Sequence, residues 1–281
     1  RQEVDSSTIE RRVAGELTPV DAQQFVVDLE DELAIPEDLI AIYLEEVAST
    51  VAGLSFRLDR TQLTSEELVH ADFQTIESSM IDGHPCFFAN SGRIGFGLDE
   101  FASYAPEAAK PVRLVWLAAH RRAAHLALSN DTDEASLHRY LGGEVHRRFR
   151  SQLAEIGLNP DAYLFIPVHP WQWQHKIAII FAPDLGRDDL VYLGESADEY
   201  QAQQSIRTFF NISLPRRPYI KTALAIRNMG FQRGLSPEYM RVTPEINDWV
   251  ASLVRSDSTL RSAGFDVLCE FATVGYTGDI Y

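Results

Sequence analysis

Residues 204 to 233 read QSIRTFFNISLPRRPYIKTALAIRNMGFQR and hold Arg207, Arg216, Arg217, Lys221, Arg227 and Arg233 with no Asp or Glu. The acid-free stretch runs from Tyr200 to Pro237, while the whole chain has 41 acidic against 25 basic residues and a net charge of -16. At the chain's average density such a window would carry about five or six acids. The combination suits a polyphosphate. Arg offers a planar bidentate fork, Lys a compact charge, and Ser or Thr a hydroxyl. Arg207 and Lys221 stand inside otherwise apolar runs, where a purely solvated role is hardest to assign. Arg216 and Arg217, in PRRP, read as solvated turn cations. The plainer reading of the whole island is a basic face that pairs with acids elsewhere on the surface.

Other chemistry is sparser. Of eight histidines, His120, His125, His138 and His146 lie in stretches read as helical and rich in Arg, and read as structural or solvent-facing. His84 in DGHPCFF and His169 in IPVHPWQWQH each precede a proline, which biases their backbones to extended geometry, and each stands at the edge of an apolar segment. Trp171 and Trp173 read as core anchors. No carboxylate pair stands out as an acid/base couple. No Walker A, HExxH, GxSxG or DxDxDG pattern occurs, and GRIGFG at 92–97 is by itself a weak glycine-rich string. Cys86 and Cys269 form no CxxC or Cys/His cluster, so neither a disulfide framework nor a zinc site is expected, and no metal-ligating residue is assigned.

These residues need a scaffold. The 281 residues allow one large domain or two modest ones, and 45% hydrophobic residues suffice for a core. No apolar run approaches the roughly 20 residues of a membrane helix, and the polar RQEVDSSTIERR start lacks a signal-peptide core, so a cytoplasmic protein without membrane association is expected. The acidic balance disfavours nucleic acid. Helices are predicted over TPVDAQQFVVDLEDEL, over PEDLIAIYLEEVASTVAGL with acids in its first turn, and over TSEELVHADFQTIESSMIDG with Ser65 as cap. A long amphipathic helix is predicted at 110–128, and a helix over 134–157 broken at Gly142 and Gly143. AYLFIPV reads as a buried strand, and QSIRTFFNISL and YIKTALAI as two strands joined by PRRP. Alternation would put Ser205, Arg207, Phe209 and Asn211 on one face, and Tyr219, Lys221, Ala223, Ala225 and Arg227 on another, with the apolar faces buried. SPEYMRVTPEINDWVASLV returns to helix and FDVLCEFATVGY to strand. The fold class is α+β: a helical part over 1–160, then a mixed part with an antiparallel sheet over 161–281.

GHP followed by GRIGFG, then IPVHPWQ, SIRT and KTALAIRNMGFQRG resemble, in order and spacing, the siderophore synthetases independent of non-ribosomal peptide synthetases, the IucA/IucC family. The resemblance runs from about residue 20 to the end. HADFQTIESSMIDGHPCFFANSGRIGFG, YAPEAAKPVRLVWLAAHR and IRNMGFQRGLSPEYM look most like the desferrioxamine-type branch. The resemblance implies a cupped-hand fold with a helical thumb, sheet-bearing fingers and a palm largely outside this chain. It implies ATP and Mg2+, a carboxylate activated as an acyl-adenylate, and an amine that attacks it to form an amide, as in a hydroxamate siderophore built from N-hydroxy-N-succinylcadaverine. It implies a homodimer acting on small molecules. Ser205, Arg207, Lys221 and Arg233 would contact the ATP phosphates and His84 the reacting group. Arg93, Thr208, Thr222, Arg227 and His169 are further candidates, with the magnesium ligands expected beyond this chain. Phe87 and Ser91 stand where the commoner pattern HPxHPxxKxRxG has His and Lys, and Ala223 where KTS has Ser. The chain alone is expected to bind ATP weakly and not to turn over. The alternative is a non-catalytic nucleotide- or phosphate-binding module.

Overall fold

The computed structural model describes residues 5–60, 63–80, 87 and 89–277. The chain forms two compact units, one of Arg1–Phe101 with Ile226–Arg233, the other of Ala102–Ala225 with Gly234–Tyr281. Both are built as the α+β class requires, from helices and antiparallel strand pairs.

In the first unit the helix Glu37–Leu58 follows Pro36 and carries Glu37 and Asp38 in its first turn, where carboxylates favour the positive end of the helix dipole. It buries Val47 with Val26 and Ala89, and Ile40, Tyr43 and Leu44 pack around them. By length and composition this helix of 22 residues could cross a membrane, which corrects the expectation that no segment is long enough. Glu45 and Glu46 interrupt its apolar run, and Glu46 is committed to the protein: its Oε1 accepts from the Gly230 N–H at 2.8 Å. Of the predicted helix over 64–83, the described part is two short helices, Ser65–Val69 and Phe73–Ser79, and positions 81–83 lie outside the described residues. Thr64, not Ser65, is the cap, in a reciprocal capping box with Glu67. The segment Ile226–Arg233 adds a hairpin, Arg227–Asn228 against Phe231–Gln232. Met229 and Gly230 turn it with φ of 52° and 75°, the left-handed pair of a type I′ turn.

In the second unit Val115–His120 is the central strand of three, antiparallel to Tyr163–Val168 and Leu190–Glu195. The helix predicted at 110–128 is therefore two strands, Val115–His120 and Ala124–Leu128, joined by a short 3-10 turn at Arg121–Ala123. The cause is double burial. Trp116 and Ala118 enter one cluster with Phe149, Leu153 and Phe165, while Val115 and Leu117 enter another with Val168. A strand covered on both faces loses the alternation that would mark it. The position near 160, where the change of character was placed, lies inside this unit, because Val115–His120 pairs residue by residue with Tyr163–Val168. Ala124–Leu128 pairs with Ala272–Tyr276, and a third sheet holds Tyr200–Ala202, Thr208–Asn211 and Ile220–Lys221.

The helical stretch after Asp133 breaks at Gly142, whose φ is 91°. Arg217 meets the break: its Nη1 donates to the Leu141 carbonyl at 2.9 Å and to Asp198 Oδ2 at 2.6 Å. Arg217 is thus a structural cation rather than a solvated one, whereas Arg216 is exposed. Arg217→Ala is expected to destabilise the unit by about 1–3 kcal/mol, and Arg216→Ala by under about 0.5 kcal/mol, from denaturant midpoints.

Candidate functional site

In the second unit the chain enters the Thr208–Asn211 strand through a tight turn. The Ile206 N–H donates to the Gln203 carbonyl at 2.7 Å, the Gln203 N–H to the Thr208 carbonyl at 2.8 Å, and the Thr208 N–H to Ser205 Oγ at 3.0 Å. Ile206 sits in the left-handed region at φ 63° and is buried, so a branched apolar side chain is held in a costly conformation. The turn corrects the predicted alternation. The strand begins at Thr208, and Ser205 and Arg207 precede it. Phe209 and Asn211, expected to share their face, are the buried residues of the strand.

The register fixes what the sequence left open. Thr208 stands opposite Lys221, and the Thr222 N–H donates to the Arg207 carbonyl at 2.8 Å. Arg207 and Lys221 are therefore diagonal neighbours on adjacent segments. Nη1 of Arg207 donates to the Gly234 carbonyl at 2.5 Å, and Lys221 Nζ pairs with Glu270 Oε1 at 2.6 Å. Thr222 is buried with its hydroxyl turned toward the Arg207 carbonyl, while Ser205 is exposed and keeps its own O–H to donate. The arrangement brings an arginine, a lysine paired with Glu270 and a hydroxyl to the end of one sheet, donor groups suited to an oxyanion.

Two supporting residues escaped sequence reasoning. Glu270 pairs with Lys221, and its N–H donates to Asn247 Oδ1 at 3.0 Å. Gln172, inside the quoted IPVHPWQ, accepts the Ala225 N–H at 2.8 Å and so pins the chain just beyond Lys221. The only available sequence signal for Gln172 was its place in that motif.

His169 is 0% exposed. It begins the helical segment at Pro170, its Nδ1 accepts the Trp171 N–H at 3.0 Å, and its ring packs against Tyr104 and Phe209. Burial holds it neutral, with its pKa lowered to about 3. An unfolded chain takes up this proton near 6.5 while the folded one does not, so folding stability is intact above that pH and falls as pH drops toward 3. Wild-type stability is expected to decline by up to about 1.4 kcal/mol per pH unit below 6.5 relative to His169→Gln, read from paired denaturant titrations.

The remaining candidates lie in the first unit or outside the described residues. His84 is among the latter. Arg93 is 6% exposed, its guanidinium 4.8 Å from the Phe101 ring centre and its N–H donating to Ser49 Oγ. Arg227 exchanges both backbone hydrogen bonds with Ile94. Arg233 turns back on its own hairpin, Nη2 donating to Asn228 Oδ1 at 2.7 Å.

With this geometry in hand, the IucA / IucC family model matches residues 72–281. Putrebactin synthase of Shewanella sp. (strain MR-4) is 45% identical over 98% of this chain, and aerobactin synthase of Escherichia coli 34% over 97%. Among solved structures, the petrobactin biosynthesis protein AsbB of Bacillus anthracis superposes with a TM-score of 0.83 at 31% identity, covering 95% of this chain. Aerobactin synthetase IucC of Klebsiella pneumoniae gives 0.78 at 31% identity over the same share. The chain spans less than half the length of these proteins, 44% of putrebactin synthase and of AsbB and 47% of IucC. The family model's reach over most of the chain, with a shared fold at substantial identity, establishes that the chain belongs to the IucA/IucC family.

Proposed function

We propose that the chain is part of an ATP-dependent siderophore synthetase that activates a carboxylate as an acyl-adenylate and couples it to an amine. The observation that carries this reading is the placement of Arg207 beside Lys221 at the Ser205 turn, in a chain similar to named siderophore synthases. A carboxylate oxygen attacks the α-phosphorus, the bond to the bridging oxygen breaks, and pyrophosphate leaves. The amine then attacks the acyl carbon, AMP departs with the bonding pair, and the nitrogen loses its proton. Arg207 and Lys221 would stabilise charge growing on the α-phosphate and the departing pyrophosphate, and Ser205 would donate to a phosphate oxygen. Among the described residues no three His, Cys, Asp or Glu side chains gather as a metal-ligand set. Magnesium would enter with the ATP phosphates, and no described residue is assigned to it.

The resemblance to the desferrioxamine-type branch points to a hydroxamate acid such as N-hydroxy-N-succinylcadaverine, and to a cytoplasmic homodimer. Because the chain spans 44% of putrebactin synthase, the 281 residues alone are expected to bind ATP weakly without turnover. The test uses the protein at its full natural length with ATP, magnesium and that acid. AMP plus pyrophosphate supports the reading. ADP plus phosphate would overturn it in favour of an acyl-phosphate ligase, and ATP binding without substrate-dependent consumption would favour a non-catalytic nucleotide-binding module. The putrescine-derived acid, one methylene shorter, is expected to lose no more than about 200-fold in kcat/KM, the ceiling for one methylene in an apolar pocket.

A further inference from the structure

We propose that Asn228 is the positioning residue for Arg233, holding its guanidinium by one nitrogen so that the rest can receive a phosphate. The inference rests on the ATP reading and names a residue that reading did not use. It stands on the first unit alone. Asn228 lies at the start of the type I′ turn, and its amide is used at both ends. Nδ2 donates to the Gly92 carbonyl at 2.6 Å, and Oδ1 accepts from Arg233 Nη2 at 2.7 Å. The same Nη2 also reaches the Asn228 carbonyl at 3.3 Å, and the Arg233 N–H donates to the Ile226 carbonyl at 2.9 Å. The turn is itself fastened to the helix Glu37–Leu58 through Gly230 and Glu46. Arg233 is therefore fixed at its backbone and at one guanidinium nitrogen.

Among the described residues Nε and Nη1 of Arg233 have no partner, and no carboxylate pairs with the side chain. Lys221 differs, since it pairs with Glu270. Arg233 thus keeps its full charge and three N–H donors on a group whose orientation is already set. A guanidinium whose orientation is already set loses less freedom when an anion binds, and with Nη2 engaged its Nε–H and Nη1 hydrogens can each donate singly to a phosphate oxygen. Only a planar amide of this length gives to Gly92 and takes from Arg233 at once. Asp lacks the donor, and Ala lacks both.

The experiment is a double-mutant cycle on the full-length protein, reading the KM for ATP and the kcat for pyrophosphate release. Asn228→Ala is expected to raise the KM for ATP roughly tenfold, the effect of losing one hydrogen bond to a charged group. In the Arg233→Ala background the same change is expected to have less than about a twofold effect, since nothing remains to position. Losses that multiply in the double variant would overturn the assignment and make Asn228 an independent structural residue. An unchanged KM in Asn228→Ala would overturn it too. Asn228→Gln, which keeps the amide but displaces it by one methylene, serves the same cycle if the alanine variant does not fold. A wild-type protein that releases no pyrophosphate from ATP would sink the ATP reading first and this one with it, an outcome distinct from multiplying losses.

Discussion

Arg207→Ala is expected to lower substrate-dependent pyrophosphate release by about 10²-fold or more, the effect of removing one preorganised donor from a developing oxyanion. On the proposed chemistry the loss should fall mainly on kcat, because the charge that Arg207 would meet grows as pyrophosphate departs. Its backbone explains why this position is rigid. Arg207 follows a residue held at φ 63°, its carbonyl accepts from Thr222, and its Nη1 is anchored on the Gly234 carbonyl. Arg207→Lys keeps a charge but not the fork, and is expected to recover about a tenth of the wild-type rate at best. Arg216→Ala, at an exposed turn position of the same basic island, is expected to leave the rate unchanged. Equal losses in Arg207→Ala and Arg216→Ala would mean that the island acts only as a diffuse field. A steep fall of ATP affinity with salt would point the same way, toward the multi-contact surface binding of a polymer ligand.

The island was legible because charge pattern is a property of sequence: an acid-free window in an acidic chain is visible without coordinates. The helix over Glu37–Leu58, the break at Gly142 and the strand Tyr163–Val168 were legible because their periodicity or breakers are local. The 110–128 segment was not, because Val115–His120 is covered on both faces and Ala-rich flanks imitate a helix. The hairpin at Ile226–Arg233 is grouped with a unit more than a hundred residues upstream, a grouping that no local pattern marks. Within the site, side-chain alternation misassigned Ser205 and Arg207, because a single left-handed residue, Ile206, resets the phase of the strand. Glu270 lies 49 residues from Lys221 and Asn228 lies 136 from Gly92, so neither partnership could be read from spacing. Arg217 looked solvated for the same reason: Asp198 and the Leu141 carbonyl are remote in sequence.

GRIGFG raises the last question, because a glycine-rich string near a nucleotide reading invites a phosphate loop. Its geometry gives another reason for glycine. A Cβ at Gly92 would come within 2.6 Å of the Glu46 carbonyl oxygen, 3.1 Å of Thr50 Oγ1 and 3.3 Å of the Glu46 carbonyl carbon. The first and last are backbone atoms of a long helix, and the Thr50 hydroxyl already donates to the same carbonyl at 2.8 Å. The two Glu46 atoms cannot give way without a shift of the backbone, whereas the Thr50 hydroxyl could rotate. Gly92→Ala is therefore expected to destabilise the first unit by about 3 kcal/mol, at the upper end of overpacking, read as a lowered Tm and denaturant midpoint. Gly97→Ala is the control. Its Cβ meets only the end of the Glu100 side chain at 2.8 Å, a flexible group that can turn away at the loss of its hydrogen bond from the Gly97 N–H, and the expected cost is about 1 kcal/mol. A Gly92→Ala protein as stable as wild type would show that helix and loop are not held at this distance. If the loss appears as expected, the KM for ATP should rise as well, because the Gly92 carbonyl is the acceptor that holds Asn228. The first glycine of the string would then act on the nucleotide through the Asn228–Arg233 contact, not as a cradle for phosphate.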